Sequence, residues 1–179
     1  MPLDDFLPQY HFHHTHSITV EAPLAVAYST VRRIDMCRSR IVRVLFRLRG
    51  LPRLACTLDG MQKVRFASIL TEEPEREIVL GMVGRFWTRR GDLRRTDASH
   101  FKEFAARGFA KACWDFELRP LDGETTVVRT ETRVWCLDPA SRRRFTVYWA
   151  LIGPFSGLVR RQALRVVKRD AEAAARESR

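Results

Sequence analysis

The chain lacks the features that define membrane-spanning and disulfide-rich proteins. No apolar run reaches the ~18 residues needed to cross a bilayer as a helix. The sequence opens without the cationic segment and apolar stretch of a signal peptide. The four cysteines form no Cys-x-x-Cys pair. We therefore expect a cytoplasmic protein whose cysteines are free thiols.

Catalytic signatures are also missing. The sequence contains no Gly-x-Ser-x-Gly elbow, no glycine-rich phosphate loop and no His-Glu-x-x-His pair. It has no internal repeat and no low-complexity linker, so we expect one domain over residues 1–179, with poor order at 1–10 and 174–179. The sequence predicts no cofactor and no metal site, and it favours a non-enzyme over an enzyme.

Positive charge is the clearest bias in what the sequence does contain. The net charge is +11, from 32 lysines and arginines against 21 acidic residues. The arginines are spread over every segment, and no basic tail, zinc-knuckle spacing or recognition-helix motif accompanies them. This distribution favours a generally basic surface and argues against nucleic acid as the partner.

The spacing of apolar residues predicts an α+β protein. In chain order the predicted elements are a strand at 11–20, helices at 23–33 and 39–49, strands at 63–70 and 77–86, a strand starting near His100, a hairpin at 108–118 and 125–137, and a helix from 139 to near the end. In the last helix, Gly153-Pro154 predicts a kink or brief break. A helix of this length can cross a whole sheet. We therefore predict a curved antiparallel sheet wrapped around it, with an apolar pocket between them.

The hairpin decides which side chains face that pocket. A two-residue turn at Asp122-Gly123 would pair inner with outer residues, which a side-chain period of two forbids. We therefore predict an odd-length loop with a bulge, which sets Glu117 opposite Arg129. The carboxylates that the same parity turns away from the pocket are Asp115, Glu117 and Glu131.

Four stretches of the sequence carry a resemblance to a known superfamily. They are His16–Pro23, Arg49–Pro52, Thr130–Val134 and Phe145–Arg161. Together with the order of predicted elements, they resemble the START-like (SRPBCC, helix-grip) superfamily, near its polyketide cyclase/dehydrase and lipid-transfer groups, and more locally a bacterial subgroup with no assigned function. The resemblance covers nearly the whole chain. It implies a helix-grip fold whose sheet and terminal helix enclose a cavity for a hydrophobic or amphipathic molecule.

The predicted pocket is lined by inner-face residues of the strands and of the last helix. They are His14, His16, Met82, Ala112, Trp114, Thr130, Thr132, Tyr148, Trp149, Ile152 and Gln162. His16 and Tyr148 are the candidates for acid/base chemistry. His14 and His16, two positions apart, could share a metal ion, but no third ligand follows from the spacing. Bonding to threonine hydroxyls, water or a ligand explains these histidines without a metal.

The sequence therefore favours binding or transport of a small hydrophobic or amphipathic ligand in that cavity. Two alternatives stay open: a polyketide cyclase or dehydratase reaction in the same cavity, and a regulatory module that associates with membrane or nucleic acid through its basic surface. If Arg40, Arg43, Arg47 and the stretch 85–95 flank the cavity entrance, as such elements do in this superfamily, they would attract an anionic ligand or membrane. The oligomeric state is open, with a homodimer among the options.

Overall fold

The computed structural model describes residues 2–88 and 91–177, which contain six α-helices and five strands. In chain order they are α1 (Pro2–Phe6), β1 (Phe12–Val20), α2 (Leu24–Arg32), α3 (Arg40–Leu48), α4 (Leu58–Lys63), β2 (Ser68–Glu73), β3 (Glu77–Gly84), α5 (Ala98–Glu103), β4 (Ala110–Pro120), β5 (Thr126–Cys136) and α6 (Pro139–Glu177). Two 3-10 turns, Met36–Arg38 and Arg53–Cys56, flank α3.

The strands form one antiparallel sheet in the order β1-β5-β4-β3-β2, and α6 packs on its inner face. The α+β class and the long terminal helix are confirmed. α6 continues through Pro154 without interruption, so the helix does not break there, and the kink stays a prediction. No helix within residues 2–88 and 91–177 is both long enough and apolar enough to cross a membrane.

The hairpin of β4 and β5 has the predicted register. Glu117 lies opposite Arg129, and the connecting turn covers residues 121–125, an odd number. The predicted bulge is wrong, because the pairing keeps one register from Ala110 to Pro120. A turn of this length satisfies the alternation of inner and outer side chains by itself.

Side-chain caps start the main helices where the sequence predicts them. Ser39 Oγ accepts the backbone N–H of Val42 at the start of α3. Asp138 Oδ1 accepts the N–H groups of Ala140 and Ser141, each at 3.0 Å, at the start of α6. These bonds satisfy amides that a helix leaves without an internal partner.

Two short helices lie where the sequence predicts strands. The predicted strand 63–70 begins only at Ser68, because α4 extends to Lys63, and α5 replaces the strand expected near His100. Each helix begins at a capping side chain, Thr57 for α4 and Asp97 for α5. Local capping therefore outweighs a short apolar alternation at both places.

The outer face of the sheet is covered as well. The sequence predicts poor order before residue 11, whereas in the structure α1 packs Leu3 and Phe6 on this face beside Phe101 of α5. Asp4 forms an ion pair with Arg133 at 2.6 Å. The outward-facing carboxylates are buried beneath this layer rather than exposed. They are Glu77, Asp115, Glu117 and Glu131.

Cys37 and Cys56 form a disulfide, which corrects the expectation that all cysteines are free. The bond joins the two 3-10 turns that flank α3, so α3 lies in a closed loop whose ends are 19 residues apart. Cys113 and Cys136 are free and buried. A spacing of 19 residues matches no short cysteine motif, so the sequence carries no local signal for this pair.

Candidate functional site

The inner face of the sheet carries two apolar clusters with a polar band between them. One cluster surrounds Val20 at the end of β1 and includes Val31 and Ala163. The other lies at the opposite end, where Phe12 packs against Phe145. The residues of the sheet between these ends are termed the polar band; they are His14, His16, Trp114, Thr130 and Thr132.

Strand pairing brings the members of the polar band side by side. His14 lies opposite Thr132, and Thr132 lies opposite Trp114 on the next strand. His16 lies opposite Thr130, and the rings of the two histidines are parallel with centres 6.4 Å apart. The structure therefore places the predicted strand residues of the pocket next to one another, facing α6.

Three polar atoms of this band are buried without a hydrogen-bond partner within the described ranges. They are His16 Nε2, Trp114 Nε1 and Thr132 Oγ1. The hydroxyl of Thr130 is different, because it donates to the carbonyl of Asp115 at 2.6 Å. A buried polar atom without a partner costs on the order of 1–3 kcal/mol, so three such atoms on the neighbouring strands β1, β5 and β4 make the polar band a candidate for a further polar contact.

The stretch of α6 opposite the band has little side-chain bulk. Gly153 and Gly157, one turn apart, are both buried. A Cβ at Gly157 would lie 3.4 Å from His16 Nε2, and one at Gly153 would lie 3.3 Å from the ring of Trp149. Glycine in a helix interior is unfavourable by roughly 1 kcal/mol relative to alanine, so its use here fits a need for close approach.

Arg160 adds a positive charge on the helix side. Its Cζ lies 4.5 Å from the centre of the Trp114 ring. Burial lowers the pKa of Arg160 to about 10, so the guanidinium is still protonated at neutral pH. Burial also lowers the pKa of His16, and the cations Arg161 and Arg160 act in the same direction, which keeps that imidazole neutral at pH 7.

The two acid/base candidates have different surroundings. Tyr148 packs with Phe12, Phe145 and Trp149 at the Phe12 end of the sheet, and this group is termed the aromatic cluster. The hydroxyl of Tyr148 accepts a hydrogen bond from Arg49. Burial raises the pKa of Tyr148. No hydrogen bond or ring contact among the described residues joins Tyr148 to His16, which lies in the polar band.

The remaining predicted pocket residues are spread over the two ends of the interface. The ring of Trp149 is tilted against that of His14, with ring centres 5.2 Å apart, and Ala112 is buried in the aromatic cluster. Ile152 is partly buried on α6. Gln162 faces α3, where its Oε1 accepts a bond from Ser39 Oγ at 3.1 Å.

Met82 belongs to a separate feature, a cleft of 760 Å³ beside the β2 edge of the sheet. Its apolar lining includes Phe66, Ile69 and Met82. The basic residues that line it are Lys63, Arg65, Arg94 and Arg95. Met82 pairs with Ala112 on β4, two residues from Trp114, but none of the five polar-band residues lines this cleft.

Candidate metal ligands come together at another place. Within residues 2–88 and 91–177, the side chains of Asp35, Cys37 and Cys56 offer ligand atoms within 4.8 Å of one another. Because the two sulfurs are bonded to each other, neither is a thiolate ligand in this state. His14 and His16 do not belong to this group.

Sequence reasoning missed Arg160, Gly153 and Gly157 as parts of the site. The available signal was the pair of glycines one turn apart in a helix that is otherwise free of glycine over residues 139–177. Arg160 carried no such signal, since it is one arginine among many. Its significance depends on which ring its side chain lies over.

Comparisons with known proteins show similarity at the level of three-dimensional structure. No family model and no curated protein matches the chain. A conserved protein from Geobacillus kaustophilus is similar at 8% identity and a TM-score of 0.46, over 91% of this chain and 97% of that one. The di-domain ARO/CYC BexL from the BE-7585A biosynthetic pathway is similar at 16% and 0.38, over 90% of this chain and 47% of that one. A START superfamily protein from Mycobacterium smegmatis is similar at 10% and 0.34, over 94% and 100%.

Identities and TM-scores this low carry no argument about activity. The fold follows instead from the chain's own topology: a five-stranded antiparallel sheet, strand β1 followed by short helices, and one terminal helix, α6, across the inner face. That arrangement is a helix-grip fold.

Proposed function

We propose that the chain binds a small amphipathic molecule between the sheet and α6, at the polar band. The observation that carries this proposal is a set of three buried polar atoms on the neighbouring strands β1, β5 and β4 without a partner among the described residues: His16 Nε2, Trp114 Nε1 and Thr132 Oγ1. Polar groups placed within an apolar surround fix the orientation of a ligand, whereas a purely structural core would satisfy or exclude them.

Binding is favoured over turnover by the positions of the two acid/base candidates. A general acid and a general base that act on one substrate must both reach it within hydrogen-bond distance. Tyr148 already accepts a bond from Arg49 in the aromatic cluster. His16 alone would have to carry a cyclase or dehydratase reaction, and that reaction stays a prediction from the sequence.

Native mass spectrometry of the freshly purified protein, followed by organic extraction, tests the proposal. We expect a retained small molecule in the wild type. His16→Leu should lose it, because the imidazole lies at the polar band. His13→Leu is the matched control, since His13 is exposed on the same strand and should retain the molecule. Equal retention in both variants would remove the polar band from the binding site.

A second candidate function, association with an anionic membrane, is supported by apolar residues on the outer surface of two packed helices. In α3, Val42 is buried while Ile41, Val44 and Leu48 are exposed. In α6, Val147, Leu151 and Phe155 form an exposed stripe with one residue per turn. The two helices are linked by the bonds of Ser39 to Gln162 and of Arg49 to Tyr148. These six exposed residues are termed the apolar stripe.

Arginines flank the apolar stripe on both helices. On α3 they are Arg40, Arg43 and Arg47, and on α6 they are Arg143 and Arg144, all exposed. Apolar side chains that enter the acyl boundary beside cations that face lipid phosphates form the pattern of an interfacial membrane-binding helix. An anionic bilayer is therefore the occupant that this surface fits.

Sedimentation with vesicles of phosphatidylglycerol and phosphatidylcholine tests this second function. The double variant Leu48→Glu/Leu151→Glu should bind at least about tenfold more weakly, because each leucine contributes roughly 1.5–3 kcal/mol when buried. Leu121→Glu is the control, since Leu121 is 63% exposed in the distant β4–β5 turn. If vesicle binding were unchanged by added salt and by the double substitution, the apolar stripe would not be the membrane-binding surface.

A further inference from the structure

Arg160 is a cation of the inner face without a counter-ion. Its guanidinium lies over Trp114, which is 1% exposed. Within residues 2–88 and 91–177, no carboxylate forms an ion pair with Arg160 and no group accepts a hydrogen bond from it. Asp115 attracts it electrostatically from the far side of the sheet, but that carboxylate accepts the N–H of Glu131 at 2.5 Å.

The unpartnered groups around Arg160 are chiefly donors. An indole Nε1–H and a guanidinium can only donate hydrogen bonds, and a threonine hydroxyl can donate one. A ligand group with several acceptor lone pairs would therefore match the donors of Trp114 Nε1, Thr132 Oγ1 and the Arg160 guanidinium. His16 Nε2 can supply a further donor in one of its two neutral tautomers.

The rest of the surroundings is apolar. The two apolar clusters bound the polar band at its ends. Gly157 brings the backbone of α6 close to His16, since a Cβ at this position would lie 3.4 Å from His16 Nε2. Excess donors and a positive charge within an apolar surround match a molecule that has an apolar body and one compact anionic group.

We propose that the ligand of the polar band is an acidic amphipath, whose carboxylate-class anion pairs with Arg160 while its apolar body lies along the aromatic cluster. This inference rests on the proposed function and narrows it to one class of ligand. A forked guanidinium matches a carboxylate through two parallel hydrogen bonds, which a hydroxyl or an ester cannot reproduce.

Two matched pairs of probes test the inference by calorimetric or fluorescence titration at neutral pH. Decanoate and decan-1-ol differ in their polar end, and 8-anilinonaphthalene-1-sulfonate and N-phenyl-1-naphthylamine differ by the sulfonate. For the wild type we expect the anionic member of each pair to bind about ten- to a hundredfold more tightly. In Arg160→Met this advantage should vanish, and in Arg160→Lys it should shrink.

The matched control is Arg165→Met, which removes the same charge from an exposed position of α6 and should leave the advantage intact.

Removing an unpaired, partly buried charge should also leave the melting temperature of Arg160→Met unchanged or higher. A lower melting temperature together with an intact anion advantage would assign Arg160 a structural role and overturn the inference. Equal binding of charged and neutral probes to the wild type overturns the inference alone. Failure of all four probes to bind contradicts the proposed function as well.

Discussion

Asp115 is a carboxyl group whose pKa is raised by burial beneath the outer layer of the sheet. The residue is 0% exposed, and its Oδ1 accepts the N–H of Glu131 at 2.5 Å. Its Oδ2 has no hydrogen-bond partner in the described part of the chain. Burial raises the pKa of Asp115 to about 7, and the nearby carboxylates of Glu77 and Glu131 act in the same direction. A proton on Oδ2 is therefore held in the folded state at mildly acidic pH.

The raised pKa has a defined consequence for stability. The ordinary pKa is 3.8, so between about pH 4 and pH 7 the folded state binds more protons than the unfolded state, and stability falls as pH rises through this window. Asp115→Asn removes the titrating group but keeps an oxygen that can accept the N–H of Glu131. From pH 5 to pH 8 the wild type should lose about 2–3 kcal/mol more unfolding free energy than this variant.

Urea unfolding at several values of pH measures that difference. Asp5→Asn serves as the control for the removal of one carboxylate, because Asp5 is exposed. If Asp115→Asn and the wild type lose stability in parallel, the proton is not held at Asp115.

Some residues of the candidate site could be placed from the sequence and others could not. Strand parity is a strict rule, so the inner-face positions of Trp114 and Thr132 followed from the sequence. The position of the Arg160 guanidinium did not, because a long helical side chain has several rotamers and the ring that receives it lies on another element. The bond from Arg49 that occupies Tyr148 is equally non-local.

Among the elements, long ones were predictable and short ones were not. The strands of the hairpin run for 11 residues each, long enough for alternation to fix their faces and register. α4 and α5 have six residues each, which is too few for a helical period to stand out. Their caps, Thr57 and Asp97, were visible in the sequence, but capping residues are also common in turns.

The closed loop around α3 leads to a prediction for this element. Loss of the disulfide in Cys37→Ser/Cys56→Ser should lower the unfolding free energy by about 3 kcal/mol, mainly because the unfolded chain regains the freedom of the closed loop. Denaturant unfolding with and without a thiol reductant measures it. In the presence of reductant, the unfolding free energy of the wild type should fall to that of the double variant. The unfolding free energy of the double variant should be the same with and without reductant. A wild type indifferent to reductant would contradict this.

Over the whole molecule, the sheet is packed on both faces but with different chemistry. The inner face meets α6 through two apolar clusters and the polar band. The outer face meets α1 and α5 and holds buried carboxylates beside cationic partners. Among these pairs, Glu131 contacts Arg133 at 2.7 Å and Glu117 contacts Arg129 at 3.3 Å. Glu117 and Glu131 are buried on the outer side with cationic partners, whereas Arg160 has no ion-pair partner among the described residues on the side proposed to bind a ligand.

The placement of α1 also determines the order in which the molecule can be completed during synthesis. Leu3 donates its N–H to Glu77, 74 residues along the chain, and Asp4 pairs with Arg133, 129 residues along. The docking surface of α1 is therefore complete only after β5 has been synthesised. Such distant contacts form late in folding because a long loop must close first. Until then, the acidic outer side of the sheet remains open to water and α1 stays undocked.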